Sequence, residues 1–414
     1  MRPAFGVKAS HTKQDSLVKS SRRLTALSLV GLGLVALMGS MLATGGSAQA
    51  AQKAKPAEKQ DLVLSANPLL LMDVASGKVL YHQKANQKWY PASLTKLMTA
   101  YVTFRAIASG ELSEDSVVTI SEHALAYPAS KMGFKVGTRL TVDNALKMVL
   151  VKSANDIAAA LGERVAGSEP SFAERMNREA ARLGMTATHF VNANGLFHPD
   201  QTSSARDMAV LTRQILLEFP QYRPLFQIPA IRHGKRVLRS YNKLLETFRG
   251  ANGMKTGFVC SSGYNIVSSA TRNGRQLVAV VLGASNTQLR SETAAFLLTQ
   301  GFVRQDMAPG AGASIANGTQ FGAITRPHDM RPEICPNGGP KWTPHVAYKV
   351  SFLEPRFKVM EPVRVYAGVK KRPIKLPLKM AQLPLASPFE KPVQPLKAQK
   401  GDVVRLAYLP RPKP

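Results

Sequence analysis

The sequence predicts an α+β fold: an antiparallel sheet flanked by helices, with an all-helical insertion between its first and last strands. Three observations carry this. A strand pair joined through Ala75-Ser76-Gly77 opens the folded region, and a second pair around Asn273-Gly274 closes it. Between the two pairs, apolar residues recur every three or four positions. Strands at both ends of a segment, with helices between, build one sheet from its two ends rather than a βαβ series.

The elements follow in order. Pro68–Val74 (PLLLMDV) and Lys78–Gln83 (KVLYHQ) are apolar, β-rich runs joined by a turn, hence a hairpin. Pro91-Ala92-Ser93 starts a helix, since proline suits the first helical position and SLTKLMTAYVTFRAIA continues with helical spacing. Residues 141–165 read as two helical segments with Ser153-Ala154-Asn155 at their junction. SFAERMNREAARLGM is an amphipathic helix closed by Gly184, Asn192–Pro199 a loop, and Ala205–Leu217 a further helix. Leu244–Gly257 runs through a turn-rich stretch into Lys255-Thr256-Gly257, just ahead of a strand. Tyr264–Ala270 and Gln276–Leu282 form the second hairpin, and Ser291–Gly301 is the closing helix.

The chain has 414 residues, 44% hydrophobic and 20% charged, which suits a globular protein with a large core. Its net charge of +29 points to an anionic partner: nucleic acid, a membrane surface or an acidic polymer. The N-terminus selects among these. Basic residues ending in Ser21-Arg22-Arg23 precede an apolar run, Leu24–Leu42, and a small-residue stretch ending in Ala48-Gln49-Ala50. These are the three regions of a secretory signal peptide over residues 1–50, although the run is long enough to stay uncleaved as an anchor. Export to the periplasm, or to the outer face of the cytoplasmic membrane, counts against nucleic acid and leaves headgroups and cell-wall polymers.

Residues 51–61 are then a linker, 62–303 the folded domain and 304–414 a distinct C-terminal region. That region holds seventeen of the 27 prolines, and nineteen Lys and Arg against seven Asp and Glu. It reads as a mostly irregular basic tail with short strands at Val346–Phe352 and Val403–Leu409. Its charge suits an electrostatic tether to membrane or wall, or a spacer kept soluble by its basicity. Cys260 and Cys335 can pair in an oxidising compartment, but nothing in the sequence fixes their distance, and two free thiols is the default reading. No Cys/His cluster has zinc spacing and no Gly-rich loop cradles a phosphate, so neither metal nor cofactor is expected.

Three short motifs stand in order: Ser93-Leu94-Thr95-Lys96, Ser153-Ala154-Asn155 and Lys255-Thr256-Gly257. At a helix start, Ser93 and Lys96 share a face one turn apart. A serine hydroxyl is a weak nucleophile until a neighbouring base takes its proton, and a lysine serves only if burial or nearby positive charge lowers its pKa. Lys255 supplies such a charge if the motifs converge. Ser153 offers a hydroxyl to relay protons and Asn155 an amide to hold a peptide bond. Lys255 and Thr256 suit a carboxylate, and Gly257 lets a substrate approach the backbone. Each motif alone has a bland reading: an N-cap, a helix junction, a turn. Their order and their intervals of about 60 and 100 residues favour one serine acyl-transfer site, the trio found in β-lactamases and penicillin-binding proteins.

The wider sequence resembles the serine-type D-alanyl-D-alanine carboxypeptidases, the low-molecular-mass penicillin-binding proteins with a β-lactamase-like fold. The resemblance covers about residues 62–303 and includes LLMDVASGKVLYHQKANQKWYPASLTKLMTAYV, MVLVKSANDIAAALGERVAGS, FVNANGL, NKLLETFRGANGMKTGF and SGYNIVSSATRNGRQLVAVVLGA. It implies that Ser93 is the acylated nucleophile, Lys96 its base and Ser153 the proton shuttle. It further implies that Asn155 positions substrate and that Lys255 and Thr256 bind the terminal carboxylate, with Arg290 assisting. The backbone N–H groups of Ser93 and Phe258 form the oxyanion hole. Two stretches depart from the family pattern, Phe258-Val259-Cys260 after KTG and Asn265 in GYNIV, and both are expected to alter the lining of the cleft.

The implied activity is removal of the terminal D-Ala from peptidoglycan stem pentapeptides, with β-lactams acylating the same serine. A DD-endopeptidase cutting cross-links, using the same groups, is the first alternative. A non-catalytic wall-binding protein is the second, disfavoured by the intact Ser93, Lys96 and Lys255. A β-lactamase lacks support, since no E-x-x-L-N segment follows Asn155.

Overall fold

A computed structural model describes residues 60–64, 67–303 and 313–369. The opening hairpin forms as β1 (Leu69–Asp73) and β2 (Val79–Gln83), paired antiparallel. A 3-10 turn over Ala92–Thr95 leads into α1 (Lys96–Ala108). The helical insertion follows. It contains β3 (Val117–Thr119), α2 (Glu122–Ala126), β4 (Arg139–Thr141), α3 (Val142–Lys147), α4 (Asn155–Ala166), α5 (Glu169–Arg182), α6 (Ala205–Glu218) and α7 (Arg223–Phe226). The chain returns through the hairpin β5 (Ala230–His233) and β6 (Arg236–Arg239) and the short α8 (Leu244–Thr247). Then come β7 (Ala251–Val259), β8 (Gly263–Arg272), β9 (Arg275–Ala284) and α9 (Thr287–Val303). Past these lie α10 (Arg331–Ile334) and β10 (Val363–Arg364).

The main sheet has the order β2-β1-β9-β8-β7, every pair antiparallel. Strands from the two ends of the segment thus share one sheet, as the α+β reading requires. Side chains alternate between its faces. Leu70 and Met72 of β1, with Val278 and Val280 of β9, join the core beneath the helical insertion. Leu69 and Leu71, with Leu277, Ala279 and Val281, pack against α9 on the other face. This two-sided burial explains why LLLM reads as a continuous apolar run rather than an alternation.

Several boundaries shift from the sequence reading. KTG lies inside β7 rather than ahead of it, because β7 starts at Ala251 and pairs with β8 along nearly its whole length. The hairpin at Asn273-Gly274 is tight, with both residues at positive φ, as a two-residue turn matching strand twist demands. The β3–β4 and β5–β6 ladders are only three and four residues long, too short for a periodic signal.

The C-terminal region differs most. Its described part is mostly irregular, yet Ile315, Phe321, Met330, Ile334, Cys335 and Val365 are buried in the main core. Residues 313–369 form a strap laid across the domain. Val346–Phe352 is no strand: Tyr348 makes one isolated bridge to Gln60, and the Gln288 side chain brackets the Val346 backbone. The strap's strand is β10, added parallel to β5. The default of free thiols is also overturned, since Cys260 and Cys335 form a disulfide with Cα atoms 5.6 Å apart. The bond ties the end of β7 to the residue just past α10. The strap folds back against the domain, which supplies the proximity that no sequence spacing reveals. The signal segment, the Leu24–Leu42 run and Val403–Leu409 lie outside the described residues.

Candidate active site

The site is built at the junction of the sheet edge and the helical insertion, where β7 meets the turn before α1. Ser93 sits in the 3-10 turn Ala92–Thr95, and Lys96 is the first residue of α1. In a 3-10 turn side chains three apart eclipse. Lys96 Nζ accordingly lies 2.9 Å from Ser93 Oγ. The turn is held from three sides. Ala92 adopts a left-handed conformation, φ +49°, and its carbonyl is packed so closely by Gly195 that a Cβ there would come within 1.9 Å. A Cβ on Gly257 would come within 2.8 Å of Pro91 O and 3.0 Å of Ser93 N. Gly257 therefore serves the approach of β7 to the turn that carries Ser93. The third side is Asn265, whose amide donates to Tyr90 O at 2.9 Å and Pro91 O at 3.3 Å while its Oδ1 accepts from Gly283 N. Asn265 is fully buried under the turn, at a register shift between β8 and β9, so it does not line the cleft as the sequence reading expects.

The second motif interrupts a helix. After α3 the chain makes a π-helical turn over Met148–Lys152, then Ser153 takes a left-handed conformation (φ 62°, ψ 36°) before α4 begins at Asn155. A non-glycine residue held left-handed costs on the order of 1 kcal/mol or more, and π turns cluster at functional sites. The irregularity aims two side chains at the cleft. Ser153 Oγ accepts from Lys255 Nζ at 2.9 Å. Asn155 Oδ1 accepts from Lys96 Nζ at 2.8 Å, and its Nδ2 donates to Pro128 O. The Asn155 amide thus anchors Lys96 and keeps a single N–H for a ligand.

Lys96 also donates to the Asn194 carbonyl at 2.5 Å. Asn194 is a site residue that the motif argument misses. Its only local signal is the Asn-Gly pair, with Gly195 at φ 84°. Burial first, then the Lys255 charge, push Lys96 well below the usual lysine range, against the pull of Asp156 and Glu169. Burial and the neighbouring Arg290 bring Lys255 down to about 7. Burial likewise brings Arg290 down to about 10, with Tyr264 opposing. The hydrogen-bond partners of these three cations are neutral: hydroxyls, an amide and backbone carbonyls. Arg290 Nε is buried with no partner among the described residues.

The cleft has a volume of about 590 Å³. Ser93, Ser153, Asn155, Thr256, Gly257, Phe258 and Arg290 all line it. Lys96 and Lys255 stand just behind, 0% and 2% exposed. All nine residues singled out from the sequence are therefore brought together. The rim adds Ser130, Tyr241 and Tyr264, and also Arg356, which the strap contributes. Chemically, a hydroxyl faces a lysine poised to be neutral, a second hydroxyl faces a second lysine, and two cations without acidic partners among the described residues stand at the cleft wall. Such a site can take a proton from a serine, hold an anionic substrate end and return the proton to a leaving group.

Comparison with known proteins gives one answer. A family model described as D-alanyl-D-alanine carboxypeptidase matches residues 52–286. The D-alanyl-D-alanine carboxypeptidase DacC of Escherichia coli is 39% identical over 246 residues, covering 58% of this chain and 62% of that protein. The carboxypeptidase DacA of Haemophilus influenzae is 36% identical over 244 residues, with shares of 58% and 62%. The chain spans less than two thirds of the length of these relatives. Among solved structures, penicillin-binding protein 5 of Haemophilus influenzae matches with a TM-score of 0.56 at 34% identity, covering 58% of this chain and 72% of that one. The cefotaxime-bound penicillin-binding protein D2 of Listeria monocytogenes matches with a TM-score of 0.54 at 32% identity, covering 59% and 100%.

Proposed function

The chain belongs to the D-alanyl-D-alanine carboxypeptidase family, and from that premise we propose that it is a serine DD-carboxypeptidase acting on peptidoglycan stem pentapeptides. One observation carries the reading: Lys96 Nζ, fully buried and held 2.9 Å from Ser93 Oγ, is pushed toward the neutral form that a base requires. Ser93 Oγ attacks the carbonyl carbon of the D-Ala-D-Ala bond and its proton passes to Lys96. The backbone N–H groups of Ser93 and Phe258 receive the oxyanion. Ser153, hydrogen-bonded to Lys255, relays the proton taken up by Lys96 to the departing amine, and D-Ala leaves. Water then attacks the acyl-enzyme and restores Ser93. Thr256, Lys255 and Arg290 hold the terminal carboxylate, a role supported by the partnerless Arg290 Nε. β-Lactams acylate Ser93 through the same groups.

The test is labelling with fluorescent penicillin, followed by mapping of the adduct by mass spectrometry. Ser93→Ala is expected to abolish labelling and D-Ala release without loss of fold. An adduct on Ser153 overturns the assignment. Release from pentapeptide in preference to a cross-linked dimer separates the carboxypeptidase from an endopeptidase.

Two further parts of the reading rest on sequence. The signal-like segment before residue 51 supports export. The basic residues of 304–414 support a tether to membrane or wall, tested by salt release of the mature protein.

A further inference from the structure

Beside the cleft lies a small sheet of order β10-β5-β6. Ile231 and Leu238 face each other across β5 and β6, and Val363 is paired with Ile231 from β10. All three pack on the main core. By the two-residue period of strands, the neighbouring positions occupy the opposite, outward face. There Arg364 is the partner of Arg232, Arg232 in turn faces Val237, and Arg239 follows two residues along β6. Like charges directly opposite one another destabilise a sheet. Yet neither the Arg232 nor the Arg364 side chain has an ion pair or hydrogen bond among the described residues, and Val237, on the other side of Arg232, is 39% exposed. The row is continuous with the active-site rim. Arg239 and Arg356 both line the cleft, where they share one carboxylate, Glu246, at 3.0 and 3.4 Å.

We propose that this arginine face is a docking surface for the carboxylates of the peptidoglycan polymer, holding stem peptides adjacent to the one whose end enters the cleft. The proposal rests on the carboxypeptidase reading of the site. Two features select the occupant. Arg232 and Arg364 carry charge without acidic partners among the described residues, which matches a polymer bearing a carboxylate on every stem peptide. The outward row also runs into the cleft, so an occupant of the face must lead to the scissile bond. An anionic bilayer has the right charge but no such continuity. Both Arg232 and Arg364 lie outside the catalytic groups, so the face affects capture of polymer rather than chemistry on a small substrate.

The experiment uses the full chain and the double variant Arg232→Gln/Arg364→Gln. Four readouts are compared: acylation by penicillin, D-Ala release from a soluble pentapeptide, and co-sedimentation across a salt series with purified sacculi and with vesicles of anionic phospholipid. The expected result is unchanged acylation and unchanged turnover of the soluble peptide, with sacculus affinity down roughly tenfold at low salt, the worth of two exposed charge contacts. The deficit should fade as salt rises, since contacts of this kind are screened. Arg232→Lys/Arg364→Lys retains the charge and should restore most of the binding. Equal sacculus affinity of variant and wild type overturns the proposal. So does a loss confined to vesicles of anionic phospholipid, which assigns the face to the membrane. If the wild type releases no D-Ala from the soluble peptide, the carboxypeptidase reading fails by itself, while the sacculus arm still reports on the surface.

Discussion

Gly257→Ala separates two accounts of the third motif. If the glycine exists for substrate access, an added methyl group obstructs ligands and leaves the apoprotein unaffected. The structure instead places that Cβ 2.8 Å from Pro91 O, 3.0 Å from Ser93 N and 3.2 Å from Ala92 Cβ. Two of these atoms are backbone, so no side-chain rotation relieves the contact. Restoring ordinary van der Waals distances requires the turn and β7 to part by roughly half an ångström, and overpacking of this kind costs about 1–3 kcal/mol. Misplacing a reacting group by about 1 Å can cost on the order of a hundredfold in rate, so half of that predicts a loss of roughly tenfold in acylation. The assay is stopped-flow acylation by a chromogenic β-lactam over a concentration series, which separates initial binding from the acylation rate constant. Thermal unfolding is measured in parallel. The expected outcome is a slower acylation step and a lower melting temperature. Weaker initial binding, with acylation rate and melting temperature unchanged, refutes the argument and returns Gly257 to the substrate.

Three other outcomes follow from the same geometry. Lys96→Arg keeps the positive charge but cannot give up its proton, so acylation should fall by about 10²–10⁴-fold, the usual worth of a general base; near wild-type labelling by penicillin removes Lys96 from that role. Cys260→Ser/Cys335→Ser opens a loop with a sequence separation of 75, which on the chain-entropy account removes about 4 kcal/mol; an unchanged denaturation midpoint means that packing alone holds the strap. Lys255 titrates near 7 folded against 10.5 unfolded, so between those values the unfolded chain binds more protons and stability rises with pH. Denaturation at pH 7 and pH 10 should show a gain of up to a few kcal/mol in wild type that shrinks in Lys255→Met, and equal gains in both proteins contradict the assignment.

The parts legible in sequence are those with local causes. β1 and β2 announce themselves by apolar runs around a turn, and α5 by its amphipathic stripe. The Ser93–Lys96 spacing fixes a contact within one helical turn. Convergence of the three motifs is legible only through their order, and the family resemblance supplies the roles. What the sequence hides is set by long-range packing. Asn194 contributes a carbonyl, which every residue possesses, so its identity carries no signal. Asn265 looks like a cleft residue because it neighbours the KTG strand along the sheet, whereas a register shift turns it under the nucleophile turn. The strap reads as a tail because it belongs to residues 304–414, a region that as a whole is rich in proline, lysine and arginine. Its few anchors, such as Ile315, Met330, Cys335 and Val365, are scattered too widely to form a periodic pattern.

The same packing explains how the fold sustains an electrostatic arrangement that opposes its own stability. A buried cation usually acquires a carboxylate partner, because an unpaired one loses its hydration without compensation. Here Arg290 depresses Lys255, Lys255 depresses Lys96, and none of the three is paired with an acid among the described residues. A carboxylate placed beside Lys96 would relieve the strain and also return its pKa to the lysine range, ending its capacity to accept a proton. Asp156 shows how the fold avoids this. It is fully buried nearby, but its oxygens are taken up by the backbone N–H groups of Met132, Gly133 and Ile157. Glu169 is likewise engaged by Tyr127, His123 and the Ala193 amide. Both acids lie close enough to pull weakly on Lys96, yet neither makes an ion pair with it. The negative charges that would quench the base are held off by hydrogen bonds to elements of the helical insertion, and that placement depends on where α4, α5 and their flanking loops pack rather than on any of the three motifs.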